Sequence, residues 1–343
     1  MINSFLFYLK KELPESYFNT ILLPNKDSLL RGKNNLKNKI PNILRLDGCD
    51  RYQGNLTTLY YLITGNNLSI SSKYFSSFDK HTIFPSLLIN KYLARFAFHI
   101  AEISNCFIFQ SKNSKDQYEK LLNFNTLKKP YYVIRNGTKF YKYQKKIIDS
   151  KTFGFPSCIT SASNFRTIKR LDQTIYLCRK LKDFYPQIKL HIIGDISKLN
   201  LKLKDDDKNF VEFHGLLNFD EIFSLKKNID LQFHLSCSDA CPNSVVEGLM
   251  AGLPVIAPQQ TGTSELLGEF SDQWCVNEKL NSEFFPTSAK LLPKIPVKEY
   301  LSVFHNIIEN LEEYKYKAHA FAAENLCIDK TGKRYKEVID NFM

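Results

Sequence analysis

An α/β architecture built on parallel sheets follows from three features of the sequence. Short apolar runs of strand length alternate with longer runs of helical periodicity. The alternation stops at a lysine-rich stretch, 139 to 152, and then restarts. The chain has 343 residues, 43% of them hydrophobic, enough for two cores of ordinary domain size.

The first 40 residues are rich in Lys and Asn with weak periodicity, and PNILRLDG (41 to 48) then reads as a short buried strand opening into a turn-prone Asp-Gly. Apolar side chains at 88, 89, 92, 93, 96, 97, 100 and 103 have the spacing of a helix packed on a sheet. CFIFQS (106 to 111) is the next strand, Ser114 signals a helix over KDQYEKLL, and YYVIRNG (131 to 137) is a further strand closed by Asn-Gly. The five lysines between 139 and 152 mark a linker. Beyond it, strands are expected at 157 to 162, 188 to 194, 210 to 215, 229 to 235 and 254 to 258, with helices between them in a doubly wound order. Residues 297 to 326 read as helical, and TGKRYKEVIDNFM as a terminal helix. The division is therefore an N-terminal unit over 1–145, a second unit over 153–325, and a C-terminal helix over 326–343 that packs back toward the first.

Composition narrows the function classes. Lys plus Arg (47) exceed Asp plus Glu (35) by 12, a field that attracts phosphates, anionic lipid heads or nucleic acid. Only 13 Gly and 13 Pro exclude collagen-like and low-complexity chains. Eight scattered cysteines, at 49, 106, 158, 178, 237, 241, 275 and 327, match neither a zinc ribbon nor a disulfide framework and read as reduced thiols in a cytoplasmic protein. Cys237 and Cys241 form a lone C-x3-C, read as incidental small residues rather than half a metal site. The start, MINSFLFYLKKELPES, has its lysines after its apolar stretch, the reverse of a signal peptide. No stretch approaches the roughly 18 apolar residues of a membrane span.

Chemistry concentrates in 236 to 265, SCSDACPNSVVEGLMAGLPVIAPQQTGTSE, where a polar patch separates a strand end from a helix start, the place where open α/β sheets bind ligands. Pro242 suits the first turn of a helix, so the amides of Asn243, Ser244 and Val245 would face a phosphate, with the helix dipole behind them. Glu247, one turn further in, is placed to accept ribose hydroxyls. A plain amphipathic crossover helix with a solvated Glu247 accounts for the same residues.

Asp239, seven intervening residues and Glu247, followed by GLMAGLPVIAP and GTSE ending at Glu265, resemble the donor-site signature of glycosyltransferase family 4, the GT-B group 1 transferases. ILRLDG (43 to 48), IFQSKNSK (108 to 115), VIRNG (133 to 137), SNFRTIKRLD (163 to 172) and IIGD (192 to 195) resemble further stretches of that family in order and spacing. The resemblance implies a GT-B fold, two Rossmann-like units facing a cleft, the second holding a nucleotide-sugar and the first the acceptor. It implies that Glu247 binds the ribose and Asp239 the transferred sugar. That first acid is usually Glu, and Asp shortens its reach by one methylene. Pro242 lacks an amide, which leaves Ala240 and Cys241 as backbone donors to sugar hydroxyls.

In such a fold, which usually works without a metal, the resemblance implies that fixed cations stabilise the departing diphosphate. Lys169 matches the family's Lys. The common spacing puts the Arg at Asn164, so Arg166 is assigned through the variant N-F-R-x-x-K-R-L, with Arg170 as the competing cation. Asp47 lies where many family members carry a His or Asp; it orients the acceptor, relays a proton or simply forms a turn. Arg45 and Arg51 flank it, either binding an anionic acceptor or lying on the surface. No histidine forms a metal pattern, and His214 and His234 read as packed or capping residues. Neither a cofactor nor a metal is expected.

The function so implied is a retaining transfer of a hexose-type sugar from a nucleoside-diphosphate sugar to a saccharide or lipid-linked saccharide, as in cell-surface polysaccharide or lipopolysaccharide synthesis. The protein would be cytoplasmic, with peripheral contact with an anionic membrane through its basic excess. No G-x-G-x-x-G follows a strand and no P-loop occurs, against an oxidoreductase or nucleotidase. Nucleic acid is not an expected partner, because the aromatic residues follow core periodicities. The non-enzymatic alternative is a degenerate transferase-like subunit. Asp239 motivates it, as does an N-terminal unit that looks shortened, with no Gly-containing loop ahead of 41 beyond Arg31-Gly32.

Overall fold

The computed structural model describes residues 9–23, 26–46, 98–122, 124–143, 156–164, 167–197, 199, 201–278 and 293–343. Its two parallel sheets are separate in the chain. The first is built from β1 (Ile21–Leu22), β2 (Ile43–Leu46), β3 (Cys106–Phe109) and β4 (Tyr131–Val133), hydrogen-bonded in that order. Helices α1 (Glu15–Thr20) and α2 (Lys26–Lys37) flank β1, and α3 (Lys112–Leu122) joins β3 to β4.

Strand alternation sorts this sheet into two apolar faces. Leu22, Leu44, Leu46, Phe107 and Phe109 pack with Tyr118 on one side. Ile21, Ile43, Cys106 and Ile108 pack on the other. The described part of the opening 40 residues, weak in periodicity, thus includes α1, β1 and α2. Arg31-Gly32 is inside α2 rather than in a loop. A Cβ at Gly32 would come within 2.9 Å of Leu22 and Ile103, so the missing side chain lets the helix lie close to the sheet. α3 starts two residues before the expected Ser114, because the Ser111 hydroxyl caps it by accepting the Ser114 amide at 3.0 Å.

The second unit contains β5 (Ser157–Asn164), α4 (Leu171–Leu181), β6 (Lys189–Asp195), β7 (Val211–Gly215), α5 (Phe219–Lys226), β8 (Leu231–Phe233), α6 (Asn243–Met250), β9 (Val255–Pro258), α7 (Gly262–Leu267) and β10 (Cys275–Val276). Its sheet runs β10-β9-β8-β5-β6-β7, all parallel. That is the Rossmann order, in which the chain reverses direction across the sheet between β5 and β8 and leaves a crevice beyond their carboxyl ends.

The expected helix over 297 to 326 is two, α8 (Val297–Glu309) and α9 (Leu311–Asn325), broken at Asn310, whose φ of −113° and ψ of 23° are not helical. α10 (Ile328–Asp340) then begins where Thr138 bridges the chain, its amide donating to the Leu326 carbonyl and its carbonyl accepting the Ile328 amide, both at 2.9 Å. Ile328, Tyr335, Val338 and Ile339 of α10 share one buried cluster with Ile43 and Ile108 of the first sheet. No described helix is long and apolar enough to cross a membrane.

Candidate active site

The site starts at the crevice between β5 and β8. After β5 a single turn, Thr167–Lys169, carries Lys169; after β8 the chain passes through His234 to Asp239. The two segments are stitched together by the Cys237 amide, which donates to the Ile168 carbonyl at 3.0 Å. Lys169 Nζ donates to both Asp239 oxygens, at 2.7 and 2.5 Å, and His234 Nε2 lies 2.8 Å from Oδ2. Burial pushes the Asp239 carboxyl up, but Lys169 and the His234 hydrogen bond outweigh it and hold the group well below the usual carboxylate range. Burial also pulls the His234 imidazole down, against the opposing hydrogen bond to Asp239. A neutral His234 therefore donates from Nε2 to an ionised Asp239. His234 is packed, as expected from its strand-end position, but it also holds the first acid of the signature.

Arg170 does not compete for a ligand in the crevice. Its side chain is fully buried, donating to the Leu235 carbonyl at 2.7 Å and to Glu278 at 2.7 Å, while Tyr300 donates to the same carboxylate. Arg166 lies outside the described residues, as do Asp47 and Arg51.

Pro242 stands at the N-cap of α6 rather than inside it. The Val245 amide donates to the Pro242 carbonyl at 3.0 Å, which removes Val245 from the set open to a phosphate and leaves Asn243 and Ser244 at the helix tip. Glu247 faces Lys226, which sequence reasoning missed: Lys226 Nζ is 3.9 Å from Glu247 Oε2 and donates to the Ser244 carbonyl at 3.2 Å. Burial pulls the Lys226 ammonium down to about 8, against the attraction of Glu247. Nothing in the local pattern at the end of α5 announces it, since a lysine in a last helical turn is commonplace.

Ala240 and Cys241 are buried. Gly262 explains the tight fit of their loop: a Cβ there would sit 2.2 Å from the Ala240 carbonyl oxygen and 2.7 Å from that of Asp239. Burial pushes both Cys237 and Cys241 thiols up to about 11, and Cys241 Sγ accepts the Asn136 amide at 3.3 Å.

The first sheet meets this site directly. Asn136 Nδ2 donates to the Cys241 carbonyl at 2.9 Å and to Asn243 Oδ1 at 2.8 Å. Arg45, expected either on the surface or holding an acceptor, is instead fully buried: Nη2 donates to Asn136 Oδ1 at 3.0 Å and Nε to the Tyr335 hydroxyl at 3.1 Å. Glu265 accepts the amides of Lys112 and Asn113 at 2.7 and 2.6 Å, so its carboxylate caps α3 from the opposite unit. Arg135 donates to the Glu265 carbonyl at 2.6 Å. These contacts join segments that follow β3 and β4 to segments that follow β8 and β9, so the carboxyl ends of the two sheets face each other. His214, the other histidine read as packed or capping, stacks on His191 of β6, ring centroids 5.2 Å apart.

Comparison with known proteins agrees with the fold. The family model described as Glycosyl transferases group 1 matches residues 144–294, the segment that carries Lys169, Asp239 and Glu247. No curated protein matches the chain. Among solved structures, Anabaena HepE in complex with UDP-glucose aligns with a TM-score of 0.57 at 16% identity, over 97% of this chain and 82% of that one. The pneumococcal O-GlcNAc transferase GtfA, in complex with UDP and GlcNAc, aligns at 0.58 and 11% identity, over 98% of this chain but only 59% of that one. Sucrose-phosphate synthase from Thermosynechococcus elongatus aligns at 0.58 and 12%, over 92% and 71%. The fold is GT-B: two Rossmann-like units facing a cleft.

Proposed function

We propose that the chain is a glycosyltransferase that takes a hexose from a nucleoside-diphosphate sugar, with a saccharide or lipid-linked saccharide as acceptor. What supports the reading above all is the Lys169–Asp239–His234 cluster at the Rossmann switch point, inside the segment that matches group 1 glycosyltransferases. Two of the solved relatives hold UDP with a sugar, or UDP-glucose itself, which makes a UDP-sugar the first donor to test.

In this reading Glu247 accepts the ribose hydroxyls, the amides of Asn243 and Ser244 and the α6 dipole meet the diphosphate, and Ala240 and Cys241 meet the sugar. Asp239, ionised, accepts a sugar hydroxyl. Lys169 divides its charge between Asp239 and the leaving diphosphate, assisted by Arg166. The transfer is a front-face substitution with retention. The bond from the anomeric carbon to the phosphate oxygen breaks, the bond to the acceptor oxygen forms on the same face, and the acceptor's proton passes to the departing phosphate oxygen. Asp47 is assigned to the acceptor through the family resemblance, to orient the attacking hydroxyl. The basic first unit and linker suit a protein working on the cytoplasmic face of an anionic membrane.

The competing reading, a transferase-like subunit that binds without turnover, draws on the short Asp239 side chain, already committed to two partners. Diphosphate release from UDP-sugars, followed by NMR of the product's anomeric proton, separates the readings. Retention is expected, with release slowed about 10²–10³-fold in Lys169→Ala, the cost of removing such a charge-stabilising donor. An inverted product, or a sugar trapped covalently on a cleft carboxylate, contradicts the front-face mechanism. Donor binding with no release for any acceptor supports the binding subunit.

A further inference from the structure

The outer edge of the second sheet brings together three side chains that the cleft does not use. His191 of β6 pairs in register with Glu212 of β7, and the β6–β7 register slips by one residue at His214, yet all three side chains meet on one face of the sheet. His191 Nδ1 lies 3.0 Å from His214 Nε2 and 3.3 Å from Glu212 Oε2. One ligand atom from each of the three lies within 4.8 Å of the others. We propose that His191, Glu212 and His214 form a binding site for a divalent transition metal, with the donor set of Zn²⁺.

Three observations carry this. Zinc bonds of about 2.0–2.2 Å to nitrogen and oxygen set the corners of a tetrahedron roughly 3.3–3.5 Å apart. The 3.0 and 3.3 Å separations already match that edge to within a few tenths of an ångström. Next, ligating histidines hand their second N–H to an acceptor that fixes tautomer and ring orientation. His191 Nε2 is 3.0 Å from the Ser157 hydroxyl, so the tautomer that bares Nδ1 for a metal is the one that donates to Ser157. Last, with its proton on Nε2, His191 Nδ1 turns a lone pair toward both the His214 ring nitrogen and the Glu212 carboxylate, a convergence of ligand atoms that one cation satisfies at once. Lys189 Nζ, 3.3 Å from Glu212 Oε1, holds the other carboxylate oxygen and leaves Oε2 to the imidazoles.

The chemistry is structural rather than catalytic. β7 is the outermost strand on its side of the sheet, and a metal would staple it to β6. Three protein ligands leave a fourth position, reached from solvent past the half-buried Glu212, for water or a donor from another molecule. Histidine and carboxylate donors favour Zn²⁺, Co²⁺ or Ni²⁺ over Mg²⁺ or Ca²⁺.

The test is titration of chelator-treated full-length protein with Co²⁺, followed by displacement with Zn²⁺ and thermal denaturation. Expected are the visible ligand-field absorption of a four- or five-coordinate Co²⁺ site at one equivalent, its loss on adding Zn²⁺, and a raised Tm with Zn²⁺. His214→Ala should abolish all three, and Ser157→Ala, which keeps the ligands, should weaken binding by roughly 10-fold. Circular dichroism checks that each variant is folded. No absorption, or absorption and stabilisation unchanged in a folded His191→Ala/His214→Ala double variant, overturns the proposal. UDP binding in the cleft should be the same in these variants, so the metal site and the transferase reading stand or fall separately.

Discussion

Asp239 is held by two donors in a site where burial opposes its charge, so its ionisation depends on Lys169 and His234 staying in place. Its carboxyl is depressed in the folded protein. The stability it contributes is therefore present above the unfolded value of about 3.9 and is lost as pH falls through the folded value. Asp239→Asn leaves Lys169 without its counter-charge and should cost about 3 kcal/mol at pH 7. In thermal melts against pH, the deficit relative to wild type should shrink below about pH 4; a deficit independent of pH would mean the carboxylate is not ionised in the fold. His234, also depressed, adds an acid sensitivity of its own. Neutral in the fold, it loses ground below about pH 6.5, where the unfolded chain takes the proton first.

The elements around the cleft depend on close approach and on caps supplied across it. Gly262→Ala at the start of α7 would press a methyl group onto the Ala240 and Asp239 carbonyls, and a loop that must move there should raise KM for the donor several-fold. Unchanged donor affinity would show that the loop does not touch the sugar-nucleotide. Glu265→Gln weakens the cap on α3 and should lower stability by about 1 kcal/mol. Because that cap also spans the cleft, solution scattering should show a larger radius of gyration than wild type; an unchanged radius would mean that Asn136 and Arg135 hold the units together without it.

The helices and strands of the second unit were legible because each apolar run is bounded by turn residues, and the Rossmann order follows once those runs are parallel. The break at Asn310 was not, since periodicity continues across it. Neither was β1, two residues long and recognisable only through its pairing with β2. In the site, Asp239, Glu247 and Lys169 are read from one stretch and one loop, whereas the His234 contact needs the turn of the chain after β8 and the Lys226 contact needs the end of α5 brought to α6. Val245 failed because a carbonyl three residues earlier takes its amide.

For the whole molecule, the connection that sequence could not reveal is Arg45. It lies in β2 yet bonds Tyr335 of α10 and, through Asn136, the Cys241 loop, joining three distant parts of the chain in one buried network. Arg45→Ala removes a hydrogen bond from Asn136 Oδ1 and one from the Tyr335 hydroxyl in a buried site and should cost about 2–4 kcal/mol. A cooperative melt lowered by that much is expected, and an unshifted melt would show the network to be dispensable.

The decisive experiment is a thermal-shift comparison of wild type and Glu247→Ala with UDP, GDP, ADP and their hexose conjugates, without metal and then with magnesium. A ligand that binds only the native state raises stability by an amount set by its affinity and concentration. One nucleotide series, led by UDP, should stabilise the wild type and lose its effect in Glu247→Ala. A folded wild type that no nucleotide stabilises would contradict a donor site in the cleft and, with it, the transferase reading.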